Sequence, residues 1–485
     1  MQSWTPFTLI ASLALGSLFV PSIHALPGPR VETKHGIITG FKDATAPEVA
    51  QFYGIPYAEA PIRERRWLPA LPKESFGTLD ASVRRPSCPQ TDPPGTGGAW
   101  AAEFLIRPNS TSEDCLTLNI WTPANSSKAL PVVVWIHGGG FGAVSYRVGL
   151  WGFPNAAGLE LTQQNLGLLD QRLATEWVRD NIAQFGGDPE RIVLWGQSAG
   201  AASVSYYQYA YSDDPIAISF VKDSGSPFIP IGSTDAVHGN FSSLAAAFGC
   251  QEEELNCLRE VPFRKIQKYL DQAGNLTFNV IVDEKTKFSD YENRTLDGKV
   301  AKGVSVNPIQ ARSSHIDFVI GKPSIVGSTR DEWNFAGSST IPPTNGSDVV
   351  PDNLFGCPAQ YETSLRNIAG LKTYRYMYSS NFTNIMPGGQ GAFHSAELPL
   401  IFGTHDIARQ NSTEFEYEVS EEMQDLWLSF IIDPEDGPVT EGWEATPLGG
   451  LETLQTGIDI GYNGSVVQPF SWSSWQTACV RGVVA

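Results

Sequence analysis

The stretch Arg191-Ile192-Val193-Leu194-Trp195-Gly196-Gln197-Ser198-Ala199-Gly200 decides how this chain is read. Its first half is a short apolar, β-branched run, which predicts a buried strand. Its second half fits G-x-S-x-G, and the Ala- and Ser-rich residues from Ala199 to Tyr209 are suited to open a helix. Strand, sharp turn and helix together can lift a serine hydroxyl clear of a sheet, where it can act as a nucleophile. The flanking glycines then have a steric reason, since a Cβ on either would crowd the neighbouring backbone. With 46 glycines in the chain, a chance glycine turn could spell the same five letters. The reading therefore needs partners for Ser198 elsewhere.

Composition sets the outer limits. A chain of 485 residues, 41% hydrophobic, can bury a large core, as one big α/β domain or as two or three smaller ones. A formal net charge of −19 repels nucleic acid and anionic membranes, so neither is an expected partner. The one dense basic cluster, Arg63 to Arg66, reads as surface salt-bridging residues. No metal or nucleotide motif appears, so no cofactor is expected.

Phe7 to Val20 is a mostly apolar run too short to span a bilayer, and small residues at Ser22 and Ala25 suit cleavage. Residues 1–25 are thus expected to be a signal peptide and 26–485 a single secreted, extracellular domain without an integral membrane segment. Nine N-x-[ST] sequons agree with that and predict N-glycans: Asn109, Asn125, Asn240, Asn275, Asn293, Asn345, Asn381, Asn411 and Asn463. Six cysteines in such a chain suggest up to three disulfides, and 15 pairings are open. Cys250 and Cys257 are close enough to close a small loop. Cys88 and Cys115 bracket the Pro/Gly-rich stretch Pro93–Gly98, which leaves Cys357 and Cys479. No pair has C-x-x-C spacing, so a structural role is favoured over zinc.

Along the chain, Val31–Thr33 and Gly36–Gly40 alternate like an edge hairpin. Pro131-Val132-Val133-Val134-Trp135-Ile136 is nearly all apolar, the mark of a parallel strand covered on both faces. Helices and further such strands follow, which argues for a mostly parallel sheet covered by helices. Directly after that strand stands His137-Gly138-Gly139-Gly140-Phe141. Consecutive glycines let backbone N–H groups converge where a carbonyl oxygen turns negative, so Gly139 and Gly140 are candidate donors, with Ala199 as the third. A phosphate loop is disfavoured, because no Gly-Lys-[Ser/Thr] follows.

A serine hydroxyl needs a histidine to take its proton and an acid to orient that histidine, in the chain order Ser, acid, His. Of seven histidines, only His394 and His405 follow a plausible acid. His405 reads as a surface loop residue. The acid stands where Pro323–Ser328, a predicted strand, runs into Thr329-Arg330-Asp331-Glu332. Strand ends are where α/β sheets expose functional side chains. The residues themselves do not choose between Asp331 and Glu332.

Taken together, several segments resemble the type-B carboxylesterase/lipase family, the α/β-hydrolases that include cholinesterases, and most of all its secreted fungal branch. They are Phe52–Ala58, Ser112–Asn119, His137–Phe141, Tyr146–Gly149 with Gly152-Phe153, and Asn165–Gly200, which contains Phe185-Gly186-Gly187-Asp188-Pro189. The resemblance runs from about Phe52 almost to the C-terminus. It implies an α/β-hydrolase fold with a helical cap insertion, disulfides Cys88–Cys115 and Cys250–Cys257, and hydrolysis of carboxylic esters through an acyl-serine. It assigns the acid to Glu332, although Trp333 stands where the family has glycine, and the histidine to His394 within Gly391–Gly403. Asp170, Ser224 and Glu397 match supporting positions. Gln197 replaces the glutamate of cholinesterases, which argues against choline esters; small-molecule or lipid esters remain.

One departure concerns the segment after Phe141. In relatives a longer stretch crosses the sheet and returns as a strand ending in Tyr-Arg, whereas here only Gly142 to Ser145 precede Tyr146. A parallel crossover takes roughly a dozen residues or more. The sheet is therefore expected to be short or distorted near residues 141–148, and the geometry of Gly139 and Gly140 is in question. The opposing reading is a catalytically impaired or silent, cholinesterase-like binding protein; a lipase acting at an oil interface would differ mainly in the cap.

Overall fold

The computed structural model describes residues 28–90, 111–142, 146–302, 321–332, 354–385, 391–407, 411–448, 456–472 and 479. The expected signal segment, Trp333 and the sequons at Asn109 and Asn345 lie outside the described residues. The chain enters as a hairpin of β1 (Arg30–Thr33) and β2 (Gly36–Thr39), and β5 (Gly77–Asp80) joins it in parallel. A second small sheet is antiparallel: β3 (Phe41–Asp43), β4 (Ala46–Pro56) and β6 (Thr117–Pro123).

Among the described residues, the main sheet has seven strands in the order β13-β12-β11-β10-β9-β8-β7. They are β7 (Leu130–Ile136), β8 (Gly187–Gln197), β9 (Ser219–Asp223), β10 (Ser324–Thr329), β11 (Thr373–Tyr378), β12 (Gly457–Ile460) and β13 (Val467–Phe470). All neighbours are parallel except β13, which runs antiparallel to β12. Every residue of β9, β10 and β11 is buried, because both faces of these central strands are covered. Tight packing has local demands: a Cβ on Gly327 would lie 1.6 Å from the Tyr376 ring, so only glycine fits there.

Side-chain alternation along β8 divides the core in two. Ile192 and Leu194 pack into one cluster with Phe220 and with α2 (Ala199–Ala210), beside α1 (Leu166–Asn181). Val193 and Trp195 face the other way, into a cluster with Ile325, Tyr374 and Tyr376. A third cluster forms the cap, from α3 (Gly239–Ala247), α4 (Glu254–Glu260) and α5 (Phe263–Ala273), which seat Phe241, Leu244, Leu258, Ile266 and Leu270 against Trp67 and Trp151. Next come α6 (Tyr291–Leu296), α7 (Gly356–Ile368), α8 (Leu398–Ile401) and α9 (Glu414–Ile432). The stripe of α9, Val419, Met423, Leu426, Trp427 and Phe430, closes the second cluster.

Disulfides join Cys88 to Cys115, Cys250 to Cys257 and Cys357 to Cys479. The first spans the stretch Pro93–Gly98, which lies outside the described residues. The second staples the cap between α3 and α4.

Three sequence expectations need correction. The apolar run in β7 predicts a strand covered on both faces, but β7 is half-buried and Val133 is 37% exposed. It is the last strand of its sheet, paired only with β8 among the described residues. Arg66 is not a surface residue: it is buried and holds Glu113 through Nε (2.5 Å) and Nη2 (2.8 Å), while Nη1 donates to the Leu258 and Val261 carbonyls of the cap. His405 is also buried, its Nδ1 lying 2.7 Å from Ser412 Oγ and 3.5 Å from Glu416 Oε1. Both contacts fall on one ring nitrogen, so this second Ser-His-Glu group cannot pass a proton across the ring. It closes the start of α9, where Thr413 and Glu416 form a capping box.

The sheet is interrupted where the short connection predicts it. Tyr146–Val148 form no strand; instead the Gly149 N–H donates to the Phe141 carbonyl at 2.7 Å. Arg147 nevertheless keeps a buried two-pronged bond to Asp170 on α1, Nε at 2.7 Å and Nη2 at 2.6 Å.

Candidate active site

Ser198 sits between the end of β8 and the start of α2 with φ 57° and ψ −123°. A non-glycine residue in that region is strained by about 1–3 kcal/mol, which the surroundings must offset. They do so through the backbone: the Ser198 N–H donates to the Asp223 carbonyl on β9 at 2.8 Å. The turn leaves no room at its flanks, since a Cβ on Gly200 would lie 2.0 Å from the Ile136 carbonyl, and one on Gly196 2.4 Å from Gly200.

Glu332 and Asp331, which the residues could not rank, do different work at the end of β10. The Glu332 carboxylate is buried; Oε1 accepts the Thr329 N–H at 2.8 Å, and Oε2 lies 2.6 Å from His394 Nδ1. Asp331 Oδ2 accepts the Ala392 N–H at 2.9 Å, and the Asp331 N–H donates to the Ala392 carbonyl at 3.0 Å. One acid therefore grips the imidazole and the other grips the loop that carries it.

The His394 ring stacks on Phe355, with centroids 4.3 Å apart. Its Nε2 is 3.2 Å from Gln197 Nε2. With Nδ1–H donating to Glu332, the Nε2 lone pair is left to accept from that amide. Among the described residues, hydrogen bonds join His394 to Glu332 and Gln197, and none joins it to Ser198 Oγ. The structure thus brings two of the three predicted side chains into contact and turns the proton-accepting nitrogen toward the residue that precedes the third.

The glycine loop meets the elbow at Gly138, whose added Cβ would lie 2.7 Å from Gln197 Oε1 and 3.0 Å from Ser198 Cβ. Gly139, Gly140 and Phe141 all have positive φ (98°, 61° and 63°), a path that glycine allows cheaply for the first two. Phe141 is fully buried against Phe153, the Gly140 carbonyl accepts from Asn279 of the cap at 3.3 Å, and His137 stacks on Tyr146 at 4.5 Å. The loop is held from both sides although its connection is short. Ala199, the third candidate donor, is buried as the first residue of α2.

Of the supporting positions, Asp170 holds Arg147, and the Ser224 N–H donates to the Gly327 carbonyl at 2.9 Å. Glu397 is fully buried, and burial pushes its carboxyl well up, with Asp223 and Glu332 adding to the effect. Sequence reasoning missed Phe355, which lies in no motif, and the contact of Gln197 with the imidazole. The second had a signal, because a residue adjacent to the nucleophile is placed by the same turn. Among the described residues, no His, Cys, Asp and Glu grouping could hold a metal ion, and no helix is long and apolar enough to cross a membrane.

Comparison with known proteins gives this geometry its family. The profile of the carboxylesterase family matches residues 27–143, 142–344 and 344–463, with an interruption in the short connection after Phe141. A chlorogenic acid esterase of Aspergillus niger is 41% identical over 453 residues, covering 85% of this chain and 84% of its own. Secreted lipase 5 of Gibberella zeae is 38% identical over 484 residues, covering 85% of this chain and 87% of its own. A solved thermophilic PNB esterase superposes with a TM-score of 0.71 at 24% identity, over 93% of this chain and 99% of that one, which shows the fold. An α/β-hydrolase sheet, a serine on a strained turn and matches along most of the chain lead to one conclusion: the chain belongs to the carboxylesterase family and is a carboxylic ester hydrolase.

Proposed function

We propose that the chain is a secreted serine esterase that works through an acyl-enzyme, with Ser198 as nucleophile, His394 as general base and acid, and Glu332 as the orienting carboxylate. The observation that carries this reading is the 2.6 Å contact between His394 Nδ1 and Glu332 Oε2, with Nε2 turned to the elbow. Ser198 Oγ attacks the ester carbonyl carbon while Nε2 takes its proton. The negative oxygen is received by the Gly139, Gly140 and Ala199 N–H groups. The imidazolium then gives its proton to the departing alcohol, leaving an acyl-serine. Water, deprotonated by the same nitrogen, releases the acid. No cofactor enters this scheme.

Residues 1–25 are proposed to direct secretion, with 26–485 as the mature domain. Asn125, Asn275, Asn293, Asn381, Asn411 and Asn463 are exposed and suited to carry N-glycans. The substrates are small-molecule or lipid esters; a phenolic ester such as chlorogenic acid and a triacylglycerol belong in the first panel, given the names of the two fungal relatives. The test is turnover of a short-chain p-nitrophenyl ester by the purified chain and by Ser198→Ala. Turnover lost in the variant supports the reading. An inactive parent chain would favour the silent binding protein, for which the short connection after Phe141 and the Gln197 contact at Nε2 speak.

A further inference from the structure

We propose that Asp223 is a positioning residue for this reaction: its carboxylate, set between Trp195 and Tyr376 behind the elbow, adds negative charge beside Glu332 and strengthens His394 as a base. The proposal rests on the Ser198–His394–Glu332 reading above. Asp223 ends β9, in register with Gln197 on β8, and its carbonyl accepts the Ser198 N–H. Its carboxylate is fully buried; Oδ2 accepts the Trp195 indole N–H and Oδ1 the Tyr376 hydroxyl at 2.8 Å.

No salt bridge reaches Asp223 among the described residues, although a buried carboxylate ordinarily has one. The cations next to it in the sheet are engaged elsewhere: Lys222 pairs with Glu362, and Arg375 donates to the Val326 and Tyr376 carbonyls and to Ser328 Oγ. The titratable groups that act on it are Tyr376, Glu332 and Glu397; the Arg375 guanidinium also feels Glu332 and Tyr376, and His394 is held on the far side of Glu332. An aromatic core of Trp195, Tyr376, Trp427 and Trp443 would accept an apolar side chain here at lower cost. Burial first, then Glu332, lifts the Asp223 carboxyl to about 7, so its charge is present on the alkaline side of neutrality. Serine attack creates an imidazolium at His394, and a second negative charge behind Glu332 favours that ion.

Asp223→Asn keeps the shape: its Oδ1 can still accept from Trp195, and its amide can donate to the Tyr376 oxygen. The readouts are the acid limb of kcat/KM against pH and the titration of the His394 imidazole by NMR in carbon-labelled protein. Asp223→Asn is expected to lower both midpoints by about half a unit to one unit. Tyr376→Phe keeps the ring but removes one donor to the carboxylate, and shifts both the same way by less, which provides a second variant if the first folds poorly. Midpoints unmoved in both variants, with only the plateau reduced, would overturn the proposal and leave Asp223 a scaffold residue. If the parent chain turns over no ester while the His394 titration still shifts in Asp223→Asn, the electrostatic link stands and the esterase reading fails.

Discussion

The two halves of the main sheet differ in how they hold their share of the site. From β8 to β11 each strand has neighbours on both edges, all of β9, β10 and β11 is buried, and Ser198, Glu332 and the loop bearing His394 rise from this frame. At β7 the sheet stops, Val133 is exposed, and the glycine loop that follows is steadied by contacts of its own: Phe141 with Phe153, His137 with Tyr146, and Gly140 with Asn279. On the proposed reading, the acid–base residues and Ala199 stand on the continuous half, and the other two proposed oxyanion donors, Gly139 and Gly140, on the interrupted half. The difference teaches that a motif can persist in sequence while losing the strand beside it, because side-chain packing at its two ends can fix a loop that the sheet no longer flanks.

Variants can probe each half. Ser198→Ala on the continuous half is expected to remove at least about 10⁴-fold of kcat/KM, leaving only what binding and the oxyanion donors supply. Glu332→Gln should cost about 10²–10⁴-fold in kcat with little change in KM, because the amide cannot stabilise an imidazolium. A cost as small for these two as for loop variants would erase the distinction between the halves. On the interrupted half, grafting a relative's segment after Phe141 should restore a strand beside β7 and raise the melting temperature, with kcat rising by less than about 10-fold, because Phe141, His137 and Gly140 already hold the loop. A graft that changes neither kcat nor melting temperature would mean that the short connection costs nothing.

The smallest effect concerns stability. The Asp223 carboxyl, lifted to about 7 from a usual 3.8, binds its proton more tightly in the folded state. Its contribution therefore falls as pH rises between about 4 and about 7 and is flat beyond. Asp223→Asn should accordingly raise the melting temperature relative to the parent more at pH 8 than at pH 5. Calorimetry at the two values checks the sign.

The elbow could be read from residues because its demands are local: β-branched residues before the turn, glycines at its flanks, small residues after it. The edge hairpin and the parallel sheet were equally legible, since side-chain periodicity carries them. Burial was not. Arg66 and His405 read as surface residues because nothing local announces that Glu113, 47 positions away, or Glu416 at the start of a helix will receive them. Asp331 and Glu332 are chemically alike, and only the loop beginning at Gly391 separates them: a Cβ there would lie 2.2 Å from Asp331 Oδ2, so that carboxylate is committed to the loop. The resemblance supplied the choice of Glu332 where spacing could not, and it also exposed the missing crossover after Phe141.

The central claim is that Ser198 is acylated in the course of ester hydrolysis. Rapid mixing of the purified chain with a p-nitrophenyl ester, acid quenching and mass spectrometry of the peptides tests it most directly. One acyl group per chain is expected, attached at Ser198 and forming within the first turnover. An acyl group on another residue, or product release with no covalent adduct in the parent chain at any time after mixing, would contradict it.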